Sequence, residues 1–131
     1  MVILITIAAT LSAAVHFLIF YWESIAWTRP AVWKRFGIRS AEDAQTTKAF
    51  AYNQGFYNLF LGIGALIGSI MYGIGRADAG FALGIFCVAS MLAAAVVLVT
   101  SGKGRLPAAV IQGIFPLITV VLYITSWVTE R

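Results

Sequence analysis

Asn53-Gln54-Gly55-Phe56-Tyr57-Asn58 opens the second of four long apolar stretches in this chain, and its reading decides the rest. Three carboxamides within six residues stand directly before the run Leu59-Phe60-Leu61-Gly62-Ile63-Gly64-Ala65-Leu66-Ile67. Hydrocarbon offers an amide no partner, so such groups on an apolar helix either bind helices together or line a site. Working outward, spans of this kind fall at about residues 2–27, 49–74, 79–100 and 106–127. Each supplies the roughly 20 apolar residues that cross about 30 Å of hydrocarbon at 1.5 Å per residue. The connections near 75–78 and 101–105 are short, which makes the spans they join antiparallel neighbours. The expected fold is all-α: a four-transmembrane-helix antiparallel bundle, one integral membrane domain over residues 1–131, with 28–48 as an interfacial link.

Composition agrees. The 131 residues are 61% hydrophobic and only 11% charged, against about 25% charged in soluble domains, and the mean hydropathy is +0.92. The net charge of +4 does not point to nucleic acid, because the basic residues sit between apolar runs and little aqueous domain is left to bind it. The single Cys87 excludes an internal disulfide and reads as a buried structural thiol. No basic segment precedes the first apolar stretch, which is longer than a signal-peptide core, so we read it as a retained helix.

Basic residues set the expected orientation. Arg29, Lys34, Arg35, Arg39 and Lys48 lie in the first link, Lys103 and Arg105 in the last; only Arg76 and Arg131 lie opposite. The positive-inside bias places both basic links in the cytoplasm and both termini outside, in a multi-pass protein of the inner (plasma) membrane. Trp27, Trp33 and Tyr52 then fit the inner interface, and Tyr72 and Trp127 the outer one. Within the link, Pro30 can start a short helix that lies in the headgroup layer and ends at Gly37. Ser40-Ala41-Glu42-Asp43 resembles a helix N-terminal cap, so the second span should begin there as one long helix.

Helical geometry sorts the remaining signals. Gly64 and Gly68 form one GxxxG pair and Gly80 and Gly84 another, on either side of one short turn, which predicts close backbone contact between spans two and three. His16 and Glu23 on span one lie about 20° apart in projection, on a stripe with Ala9 and Ser12. Asn53, Gln54, Tyr57 and Asn58 occupy one arc of about 140° on span two. Gln112, Thr119, Tyr123 and Ser126 align within about 60° on span four, beside Pro116. Three helices thus each offer a polar face, and counting from the basic ends puts the richest parts in the cytoplasmic half. His16 and Glu23 are the candidates for proton exchange; Asn53, Gln54, Tyr57, Asn58 and Gln112 are candidates for holding a polar group.

The stretches His16-Phe17-Leu18-Ile19-Phe20-Tyr21-Trp22-Glu23, Phe36-Gly37-Ile38, the run from Thr47 to Asn58, and Gln112-Gly113 are similar to a known family. They resemble the small four-helix bacterial integral membrane family catalogued as domain of unknown function 1304. In that family's last motif proline follows glutamine-glycine closely, whereas here Ile114 and Phe115 intervene before Pro116. The resemblance implies the four-helix membrane fold and a shared His, Glu and Asn/Gln pattern, and it implies no reaction.

Three classes of function stay open, and with them whether the protein is an enzyme. One is binding of, or action on, a small apolar or lipid-like molecule in a polar pocket in the cytoplasmic half. Another is a non-catalytic membrane subunit or assembly factor whose polar stripe meets partner helices. The third is a small proton-coupled transporter working through Glu23. Expected partners are membrane lipid, a small apolar ligand, and further copies or a larger membrane complex; no cofactor is indicated. A single His and a Glu seven residues away make a poor metal site, since first-row metals want three or four ligands. Gly62-Ile63-Gly64 lies mid-span and is no phosphate loop.

Overall fold

The structure, a computed structural model, describes residues 1–129, and among them every regular element is helical. Helix α1 covers Val2–Phe20 and runs into a π-helical turn, Tyr21–Ile25, in which the Ala26 N–H reaches back to the Tyr21 carbonyl at 2.9 Å. The short α2, Pro30–Trp33, continues as a single 3-10 turn, Lys34–Phe36. Then follow α3, Ala41–Gly73, α4, Ala77–Thr100, and α5, Leu106–Thr129. Arg131, counted above on the side opposite the links, lies outside the described residues.

Among the described residues, four helices are long and apolar enough to cross a membrane: Val2–Ile25, Ala41–Gly73, Ala77–Thr100 and Leu106–Thr129. They close into a ring in which α1 packs on α3 and α5, and α4 packs on α3 and α5, so that α1 and α4 are diagonal. This is the antiparallel four-helix bundle. Both basic links lie at one end, called here the basic end; the α3–α4 turn, with Gly75 at φ +87°, lies at the other.

Small residues make the bundle close. Lipid tails are as apolar as leucine, so helices gain by packing tightly against one another rather than by leaving water. The inward stripe of α3 runs through Ala51, Gly55, Asn58, Gly62, Ala65, Ser69 and Tyr72, at alternating steps of four and three residues. That spacing is the 3.5-residue repeat of a left-handed helix seam. A Cβ placed on Gly68 would strike Gly84 N and Cα, and one on Gly80 would strike Tyr72 N and Cα. The two helices therefore meet backbone to backbone at Gly68, Gly80 and Gly84, while Gly64 faces the Cys87 side chain. Between the helices, Ile5, Ala65, Tyr72, Cys87, Val88, Met91 and Tyr123 form the main core.

The link folds largely as its residues dictate. Pro30 occupies the first turn of α2, and Gly37 ends the following turn at φ +78°. The Ser40 hydroxyl accepts the Asp43 N–H at 3.0 Å, so α3 starts at Ala41, with Glu42 and Asp43 in its first turn. Tyr52 is exposed, but three of the expected aromatic anchors require correction. Trp27 and Trp33 are buried in the protein, in a second small core with Ala26, Val32, Ala44 and Ala51. The Trp27 indole donates to the Ala44 carbonyl at 2.8 Å. The reason is the length of α3: 33 residues rise about 50 Å against a hydrocarbon layer of about 30 Å. The overhang gives the link a protein surface to pack on. Tyr72 is buried as well, its hydroxyl 2.9 Å from Ser126 Oγ, and Trp127 stacks on Phe81 with ring centres 4.0 Å apart.

Candidate functional site

Glu23 sits in the π-helical turn and is only 8% exposed. Asn58, one inward step along α3 from Gly55, is equally buried. Its Nδ2 donates to Glu23 Oε2 at 2.9 Å and to its own helix at the Gln54 carbonyl, 3.1 Å away. Gly55 makes this approach possible. A Cβ there would collide with Ser24 Oγ and lie 3.1 Å from Glu23 Cβ. The same close contact lets the Ser24 hydroxyl donate to the Tyr52 carbonyl at 2.8 Å. A carboxamide has two N–H donors and a carboxylate has none. Both Asn58 donors are committed, so with Glu23 ionised the pair offers only acceptor oxygen.

His16 lies deeper, fully buried on α1. Its Nδ1 is 2.8 Å from the Ser12 carbonyl, which can only accept, so that nitrogen carries the hydrogen. Nε2 is buried without a hydrogen-bond partner. His16 and Glu23 are about 10 Å apart along the helix, too far for direct contact. Beyond His16 the seam continues between α1 and α5. Ser12 Oγ is 2.9 Å from the Ala8 carbonyl and 3.2 Å from Thr119 Oγ1, which in turn reaches the Phe115 carbonyl at 2.7 Å. Two hydroxyl hydrogens serve these three contacts. Tyr123 follows, its hydroxyl buried without a hydrogen-bond partner and set against Gly84.

The structure thus brings together Glu23 and Asn58, and sets His16 apart from them, two turns earlier on α1 with Nδ1 bonded to its own helix. Asn53, Gln54 and Tyr57 are exposed, and Gln112 is half-buried on α5. The inward face of α3 is centred on Gly55, Asn58 and Gly62 rather than on the arc of polar residues. About 20 residues counted back from Gly73 reach Gln54, so Asn53 and Gln54 fall at or beyond the end of the stretch needed to cross hydrocarbon. Two contributors were not anticipated: Gly55 as the seat of the π turn, and Ser24 as its clamp. The signal that finds Gly55 is the alternating repeat of small residues along α3. Among the described residues, no three His, Cys, Asp or Glu side chains come together.

Fold and site define a four-helix integral membrane protein with a carboxyl–carboxamide pair buried between its first two spans. The chain belongs to the family described as protein of unknown function (DUF1304), whose model matches residues 10–124. The match takes in His16, Glu23, the 53–58 stretch and Gln112. No curated protein and no solved structure matches the chain.

Proposed function

We propose that this protein holds a small lipid-like molecule in the cytoplasmic half of the bundle, with Glu23 and Asn58 as its polar anchor. The observation that carries the reading is the spent donor set of Asn58 beside a buried carboxyl group. With Glu23 ionised, the remaining acceptor oxygens select a ligand that donates, a hydroxyl or an amine on an otherwise apolar molecule. An ionisable side chain inside a membrane span is costly and marks a working site more often than not. If the ligand is transformed there, Glu23 is the group that exchanges a proton with it, and His16 holds the second titratable position along the seam. Asn53, Gln54 and Tyr57 lie on the headgroup side, where they meet the polar end of an entering molecule. The setting is the plasma membrane, with both termini outside.

The test compares wild type with Glu23→Gln, purified side by side and extracted for bound small molecules by mass spectrometry. Wild type should retain a hydroxyl- or amine-bearing species that Glu23→Gln loses while melting at nearly the same temperature. If both proteins retain nothing and the variant merely melts lower, the pair is helix glue, and a subunit role takes the place of this reading.

A further inference from the structure

A groove of about 200 Å³ runs down the outside of the bundle between α4 and α5, on the face opposite the α1–α3 contact. Leu92, Val96 and Val99 wall one side, and Leu106, Val110 and Leu117 the other. Gly113 and Ala95 close its floor, where a Cβ on the glycine would lie 2.9 Å from that of the alanine. Every lining residue is apolar. Residues 92–99 rise about 10 Å and 106–117 about 16 Å. That is about one leaflet of a hydrocarbon layer roughly 30 Å thick. The groove ends at the link 101–105, whose Lys103 and Arg105 are both exposed. Arg105 is folded over this turn: a Cβ on Gly102 would lie 3.2 Å from its Nε.

We infer that this groove binds an anionic membrane phospholipid, with one acyl chain lying in it and the phosphate held by Lys103 and Arg105. Depth and charge separate this occupant from a second copy of the chain. A partner helix would follow α4 and α5 over their whole length, whereas the groove stops after one leaflet. A two-fold contact on this face would also set Lys103 and Arg105 beside their own counterparts, and like charges so placed oppose association. A phospholipid meets both features at once, because its apolar chain is one leaflet long and its charge lies at the end where the cations are. This site is separate from the Glu23–Asn58 pair and stands or falls without it.

Native mass spectrometry of the purified protein titrated with phosphatidylglycerol or phosphatidylcholine tests the inference. Wild type should take up phosphatidylglycerol in preference. Removing both charges, Lys103→Gln with Arg105→Gln, should weaken that uptake about 30-fold, roughly five-fold per charge. Filling the groove with Val96→Trp should weaken binding of both lipids, while Ala93→Trp, exposed on α4 outside the groove, should bind as wild type does. All four positions are exposed, so the fold tolerates the changes. Equal uptake of the two lipids by wild type would overturn the inference, as would a preference that survives loss of both charges. Unchanged phosphatidylglycerol uptake by Val96→Trp would reduce the site to surface attraction, and a dimer that Val96→Trp dissolves would assign the groove to a second copy.

Discussion

Gly64 and Gly68 lie one turn apart on α3 and face the same neighbour, yet adding a methyl group to each should have different consequences. At Gly68 the new Cβ strikes backbone, namely Gly84 N and Cα, with the Gly80 carbonyl oxygen at 3.1 Å. Backbone cannot rotate away, so α3 and α4 must part by roughly an ångström to restore contacts of 3.5–4.0 Å. Overpacking of this kind costs about 1–3 kcal/mol. At Gly64 the obstacle is the Cys87 thiol, the end of a small side chain that can turn or be removed. Both glycines are in the helix interior, so the propensity gain of alanine, up to about 1 kcal/mol, is common to both variants and cancels in the comparison. Gly68→Ala should therefore melt several degrees below Gly64→Ala, at a few degrees per kcal/mol for a chain of this size. Adding Cys87→Ala should relieve Gly64→Ala with a coupling of about 0.5–3 kcal/mol and leave Gly68→Ala unrelieved. Tryptophan fluorescence during heating in one detergent follows both, since Trp127 is stacked on Phe81. A Gly68→Ala protein as stable as wild type, or rescued equally by Cys87→Ala, would refute the backbone contact.

Two further outcomes follow from the same geometry. Asn58→Leu should destabilise by about 1–3 kcal/mol, because it removes the donor to a buried carboxyl group, and should do so more than Glu23→Gln; replacing both residues by leucine should recover most of the loss, and strictly additive melting shifts would show that the two side chains are not coupled. In a Cys87→Ala background, which is otherwise free of cysteine, a cysteine at position 75 should react with an impermeant reagent added to intact cells and one at position 103 should not; the reverse pattern would invert the proposed orientation.

The bundle was legible in the sequence because lipid leaves the backbone few choices. With no water to bond, a span must be a helix of about 20 apolar residues, and four such runs stand plainly in the chain. The cap at Ser40 and the stop at Gly37 were legible for a local reason, since each depends on one side chain or one φ angle. The face of α3 was not. Polarity suggested that Asn53, Gln54, Tyr57 and Asn58 all point inward, but a helix about 50 Å long carries its first turns beyond the hydrocarbon, where exposed amides are satisfied. Only Asn58 lies deep enough and on the inner stripe. The Ser40 cap announced the overhang of α3, but no local signal showed that Trp27 and Trp33 would pack against it.

The π turn had no sequence signal at all, and it bears directly on what the buried pair is for. At this one place the chain departs from three local rules together. A helix loses its regular hydrogen bonding at Tyr21–Ile25. A carboxyl group is buried against a neutral amide. A glycine stands in a helix interior, at about 1 kcal/mol relative to alanine. Close packing offsets that cost at Gly68, Gly80 and Gly84 along α3, α4 and the Tyr123 ring, and at Gly55 against Glu23 and Ser24 of the π turn. As an adhesive the arrangement is poor, because well-packed apolar residues often replace buried ionisable groups at no loss of stability. Departures that reinforce one another at a single point are what a working site produces and what optimisation for stability would remove. That concentration, rather than the mere presence of polar residues in a span, is the reason to look for the ligand at Glu23.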